Sequence, residues 1–147
     1  MSIEEKQLGP INKVCVVGLG YIGLPTAAFI ADSGISVVGV DINERHVEKI
    51  NNGEMPFFEP GFEALLKSVV ADGHLKADTE VAEADAFIVA VPTPFNDDYS
   101  VNMSYIEAAA KNIAPVLRPG ALVVLESTSP PCLLYTSDAA DERSTVD

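Results

Sequence analysis

Lys13-Val14-Cys15-Val16-Val17-Gly18-Leu19-Gly20-Tyr21-Ile22-Gly23 is the stretch that decides the fold. Its first five residues are a β-branched run that reads as a strand and stops at a glycine. The apolar period then changes. Leu24, Ala27, Ala28 and Ala31 recur at helical spacing within Ile22 to Ser33, and Pro25 is tolerable in a first turn. G-x-G-x-x-G is weak evidence alone. Between a predicted strand and a predicted helix it acquires a physical meaning. Gly18 allows the tight turn out of the strand. Gly20 lacks a Cβ, so a pyrophosphate can approach the backbone. Gly23 lets the helix pack close to the sheet. Phosphates would then meet free backbone N–H groups and the positive helix end, worth roughly 0.3–1 kcal/mol per charge and about 2 kcal/mol in a sheltered site.

Moving outward, Ser36-Val37-Val38-Gly39-Val40 reads as a second strand, ending at Asp41, 18 residues past Gly23. A carboxylate there can accept hydrogen bonds from an adenosine ribose, and it repels a 2′-phosphate. Two like charges about 4 Å apart cost on the order of 1–4 kcal/mol, which favours NAD over NADP by about one to three orders of magnitude. Arg45 points the other way if it can hold a 2′-phosphate; otherwise it is a solvated helix residue beside Glu44 and Glu48.

The alternation continues. Asn43 can cap a helix running to about Asn51, and Phe62 to Val70 is a third helix with Leu65, Leu66, Val69 and Val70 inward. Leu75–Thr79 is a short strand, and Ala86–Val91 a continuous apolar one, read as buried on both faces. Ser104-Tyr105-Ile106-Glu107 has capping-box spacing and opens a helix with Ile106, Ala110, Ile113 and Leu117 on one side, which Pro115 should kink or shorten. Ala121–Leu125 is a fifth strand. Strands alternating with helices imply an α/β fold, a Rossmann-type parallel sheet with helices on both faces and about five strands. Ligands bind such sheets at the carboxyl ends of strands. Two segments lie there: Val91-Pro92-Thr93-Pro94-Phe95, and Glu126-Ser127-Thr128-Ser129-Pro130-Pro131.

The 147 residues suffice for one domain, and 48% hydrophobic with 21% charged residues excludes disorder throughout. A formal charge of −13 offers no basic footprint for nucleic acid or an anionic membrane. No apolar run approaches the roughly 18 residues of a membrane span, and Met1–Pro10, with Glu4 and Glu5, is not a signal peptide. A soluble, cytoplasmic protein is expected. The two cysteines, Cys15 and Cys132, form neither a disulfide framework nor a zinc site. His46 and His74 read as solvated, Asp97-Asp98 as a polar loop pair without other ligands, and no metal is assigned.

After Pro131 the alternation stops. Cys132 to Asp147, CLLYTSDAADERSTVD, carries no apolar period. Its first eleven residues resemble the in-frame translation of a sequencing-library adapter. The expected organisation is therefore an N-terminal extension over 1–12, a truncated NAD-binding domain over 13–131, and a non-native tail over 132–147, which removes Cys132 as a candidate thiol.

The stretches VVGLGYIGLPTAA, VVGVDIN, EPG, ADAFIVAVPTPF and GALVVLESTSPP, in this order, resemble the N-terminal domain of the nucleotide-sugar 6-dehydrogenases. These act on UDP-glucose, GDP-mannose or UDP-N-acetylmannosamine. VPTPF with LESTSPP is most similar to the UDP-N-acetyl-D-mannosamine branch. The resemblance implies an NAD-dependent, four-electron oxidation of a sugar C6 alcohol to a carboxylate in a homo-oligomeric parent protein. By motif, Tyr21 and Ile22 would contact the pyrophosphate through their backbone, and Asp41 would bind the ribose. Thr93 and Thr128 would complete the cofactor site, with Thr128 also facing the reacting carbon. The family often carries a basic residue where this chain has His46. Its cysteine, lysine, asparagine and aspartate of the covalent step lie in later domains, so this chain alone should not turn over. Two other readings are a stand-alone NAD-binding module and another Rossmann enzyme, such as a hydroxyacid dehydrogenase or a methyltransferase.

Overall fold

The apolar runs become strands, and the amphipathic runs become helices that alternate with them. The computed structural model describes residues 10–94, 96–100 and 102–126. In chain order these give β1 (Lys13–Val17), α1 (Gly23–Asp32), β2 (Ser36–Val40), α2 (Glu44–Asn51), α3 (Glu63–Ala71), β3 (Leu75–Asp78), β4 (Ala86–Val89), α4 (Ser104–Ile113), a 3-10 turn (Ala114–Val116) and β5 (Leu122–Leu125). The strands form one sheet in the order β3-β2-β1-β4-β5, and every pairing is parallel. The chain moves outward from β1 to one edge, then returns to the other side, so β1 and β4 flank the point where the winding reverses. Ligands bind at such a point in open α/β sheets.

Strand alternation divides the core. Val14 and Val16 of β1 face a cluster with Leu24, Ala28, Ile50 and Leu66, supplied by α1, α2 and α3. Cys15 and Val17 face the opposite cluster, with Phe87, Val89, Ala109 and Ile113. From Val14 to Val17 the central strand is therefore apolar at every position, because both of its faces are covered. Cys15 is fully buried, and burial pushes its thiol pKa up, so it is an inert core residue.

Both ends of the sheet depart from simple strand pairing. On β3, the Asn51 side chain accepts from the Ala77 N–H at 2.9 Å and donates to the Ala77 carbonyl at 3.0 Å, in place of a further strand. On β5, Leu122, Val123, Val124 and Leu125 are all exposed, so both faces of this strand are uncovered in the described residues.

Several expectations shift. Asn43 caps α2, accepting from the N–H groups of Arg45 and His46 at 3.0 and 3.3 Å. Ser104, however, is the first residue of α4 rather than its cap; the Asn102 Oδ1 accepts its N–H at 2.9 Å, an Asx turn that displaces the capping box. The inner face of α4 is Ala109 and Ile113, with Ile106 half-buried; Ala110 and Leu117 are exposed. Three consecutive alanines, 108–110, left the helical register open to choice. Pro115 ends the α-helix in a 3-10 turn, as expected. β4 ends at Val89, before Ala90 and Val91.

Candidate cofactor site

The turn after β1 is shaped by what its glycines exclude. Gly18 has φ +102°, and a Cβ there would sit 2.5 Å from the Ala90 carbonyl oxygen. At Gly23 a Cβ would lie 1.7 Å from the Gly18 carbonyl oxygen and 3.2 Å from the Ala90 Cβ. These two glycines let the start of α1 rest against the ends of β1 and β4. Gly20 is different. Nothing lies within 4 Å of where its Cβ would be, so its backbone faces open space.

The same turn leaves donors unused. The amide N–H groups of Gly20, Tyr21, Ile22 and Gly23 have no acceptor among the described residues. α1 has no side-chain N-cap, and no acidic residue occupies its first turn. Unfilled amides at a helix N-terminus suit an anion.

Asp41 lies at the end of β2, directly beside this turn. Its Oδ2 accepts from the Leu19 N–H at 3.1 Å, and its Oδ1 from the Asn43 N–H at 2.9 Å. The carboxylate is thus fixed in orientation between the glycine-rich turn and the start of α2, and each oxygen keeps a further lone pair for a hydroxyl.

These groups rim a cavity of about 590 Å³ at the carboxyl ends of β1, β2 and β4. Its lining includes Gly18, Gly20, Tyr21, Ile22, Asp41 and Thr93, so six of the residues singled out in the sequence meet at one opening. Gly23 lies behind it, buried. His46 is half-buried and lines the cavity, correcting its reading as a solvated residue; it stands in the first turn of α2 and shares the cavity with Asp41. Arg45 is exposed and is not part of the lining. His74 is away from the cavity, its carbonyl accepting from the Val37 N–H at 2.7 Å. Asp98 is engaged by Ser100, whose hydroxyl and N–H both donate to it and hold its carboxyl below the usual range. No group of three or more metal-ligating side chains occurs among the described residues.

Sequence reasoning missed the far wall. Tyr105, Ala108, Ala109 and Asn112 of α4 line the cavity, as does Thr79 after β3. Tyr105 and Asn112 are seven residues apart, two turns of one helix face, but nothing in the sequence said which face turns to the sheet edge. Thr128 and Ser127 lie outside the described residues, as do Phe95 and the whole of 132–147.

Comparison with known proteins decides the family. The UDP-glucose/GDP-mannose dehydrogenase family, NAD binding domain, matches residues 12–139. The chain belongs to this family. The part of the family it carries is the NAD-binding domain, and the Rossmann-type fold and the cofactor agree with that match. Similar relatives include a UDP-N-acetyl-D-mannosamine dehydrogenase of Campylobacter jejuni, 58% identical over 124 residues, covering 84% of this chain and 30% of the relative. An NDP-N-acetyl-D-galactosaminuronic acid dehydrogenase of Ralstonia nicotianae is 56% identical over 117 residues, 80% of this chain and 28% of that protein. Among solved structures, the UDP-N-acetyl-mannosamine dehydrogenase of Staphylococcus aureus superposes with a TM-score of 0.79 at 38% identity, over 92% of this chain and 34% of that one. The chain thus spans about a third of the length of the relatives it matches. Among its described residues, no helix is long and apolar enough to cross a membrane.

Proposed function

We propose that this chain is the cofactor-binding part of an NAD-dependent nucleotide-sugar 6-dehydrogenase acting on UDP-N-acetyl-D-mannosamine. The reaction would convert the sugar C6 alcohol and one water to the carboxylate, with two NAD reduced and three protons released. NAD supplies the hydride acceptor for both oxidations. The observation that carries the reading is the run of unpartnered amides at Gly20, Tyr21, Ile22 and Gly23, placed next to an oriented Asp41 carboxylate.

In this reading the amides of Tyr21 and Ile22 hold the diphosphate, and the open space at Gly20 admits it. Asp41 accepts from the adenosine ribose hydroxyls and disfavours a 2′-phosphate. Gly18 and Gly23 keep α1 close enough for its N-terminus to face the phosphates. Thr93, at the cavity wall, would contact the cofactor toward its nicotinamide side, and Thr128 would complete that end and face the reacting carbon. The chain spans about a third of the length of these relatives, and cofactor binding is the part of the reaction that this reading assigns to it. Cytoplasmic location and homo-oligomeric assembly of the parent protein are part of the same proposal. So is the domain division at residue 131.

Parallel titrations with NAD, NADP and S-adenosylmethionine test the reading. Saturable binding with NAD strongly preferred supports it. Preference for NADP or S-adenosylmethionine would reject it in favour of a different Rossmann enzyme.

A further inference from the structure

Tyr21 sits in the middle of the turn whose amides are unpartnered, and it is 68% exposed. That ring stacks on Phe57, with centroids 4.3 Å apart and planes inclined by 39°. Phe57 comes from the connection between α2 and α3. It is half-buried and packs against the core cluster that includes Val14 and Leu24, so it is anchored more firmly than the exposed Tyr21. Phe57 is not part of the lining of the 590 Å³ cavity; it lines a separate one of about 420 Å³ with Lys49, Glu54 and Phe58.

The turn itself has few ties. The Gly18 N–H reaches the Val40 carbonyl at 2.7 Å, the Leu19 N–H reaches Asp41, the Leu24 N–H reaches the Gly20 carbonyl at 3.1 Å, and the Thr26 N–H reaches the Ile22 carbonyl at 3.2 Å. Gly20 contributes no side chain, and its Cβ position is empty space. Of the two side chains between Gly20 and Gly23, Tyr21 is the one with a ring, and Phe57 is what that ring meets.

We infer that Phe57 is a positioning residue for the phosphate-binding turn. By holding the Tyr21 ring, it fixes the Gly20, Tyr21 and Ile22 amides in one orientation before the cofactor arrives. Binding to a preordered turn avoids the cost of ordering it on association. The α2–α3 connection thereby becomes part of the cofactor site without lining its cavity. The inference rests on the NAD reading above.

Isothermal titration with NAD, ADP-ribose and adenosine separates this role from a general structural one. Phe57→Leu keeps apolar volume against the core and removes the ring. It should weaken NAD and ADP-ribose, which carry the diphosphate, by about two- to tenfold, the range expected for losing one aromatic pair. Adenosine, which has no diphosphate, should bind as to the wild type. Phe57→Tyr should restore NAD affinity. Tyr21→Ala should weaken NAD in the wild-type background and add no further loss in Phe57→Leu. Wild-type NAD affinity in Phe57→Leu, an equal loss for adenosine, or multiplying losses in the double variant would overturn the inference. Should Phe57→Leu lose its circular-dichroism signature of folding, Tyr21→Ala decides alone, because its exposed ring can be removed without opening the core, and unchanged NAD affinity there refutes the role. Absence of NAD binding to the wild-type chain is a distinct result: it refutes the cofactor reading itself.

Discussion

Gly20→Ala separates folding from binding more cleanly than any other substitution in the turn. Nothing stands within 4 Å of the added methyl, and Gly20 does not have a positive φ, so the folded protein accommodates alanine without strain. Replacing glycine at a compatible position also lowers the entropy of the unfolded chain, which stabilises by about 0.4–1 kcal/mol. The same methyl occupies the space into which a diphosphate must come to reach the amides. Displacing it from even one charge-assisted hydrogen bond costs about 1.5–3 kcal/mol, or at least tenfold in affinity. The expected outcome is an unchanged or slightly raised melting temperature with NAD affinity reduced tenfold or more. Gly23→Ala is the control. Its methyl would lie 1.7 Å from the Gly18 carbonyl oxygen, so α1 must move off the sheet, and stability and binding should fall together. Thermal melts followed by circular dichroism, paired with NAD titrations on the same preparations, read both quantities. Wild-type NAD affinity in Gly20→Ala would refute the reasoning, because it would mean that the diphosphate does not approach the backbone there.

Three further outcomes are expected. Asp41→Asn retains an oxygen for the Leu19 N–H but removes the charge; discrimination against NADP should fall by about one to three orders of magnitude in competition titrations, and unchanged selectivity would release Asp41 from its role. Asp85 accepts from the Asn12 and Lys13 N–H groups and pairs with Arg118 at 3.1 Å, and these bonds lower its pKa below the ordinary 3.8. Its contribution to stability is therefore intact above pH 3.8 and disappears as pH falls through the lower folded-state value; Asp85→Asn should flatten that acid limb in pH-dependent melts, and an unaltered limb would disprove the assignment. Val123, 49% exposed on the edge strand β5, should promote self-association, so Val123→Lys should shift sedimentation toward monomer; a wild-type chain that stays monomeric at high concentration would contradict the edge argument.

The sequence made the centre of the molecule legible because chemistry and geometry coincide there. Val14 to Val17 are apolar at every position since both faces of β1 are covered, and the glycines at 18, 20 and 23 each answer a separate steric demand. Asp41 was identifiable from its place at a strand end. Its hold on the Leu19 N–H was not, because a carboxylate's partners depend on how two turns meet in space. The register of α4 was obscured by three adjacent alanines, which present an apolar surface in any rotation, and with it the wall formed by Tyr105 and Asn112. The Tyr21–Phe57 contact joins residues far apart in the chain and leaves no periodic trace.

The most direct measurement is a crystal structure of the chain with NAD bound. The diphosphate should lie against the N–H groups of Tyr21 and Ile22, beside Gly20, with the adenosine ribose hydroxyls on the Asp41 carboxylate. Ordered NAD lying elsewhere, or a ribose turned away from Asp41 with the turn empty, would contradict this placement.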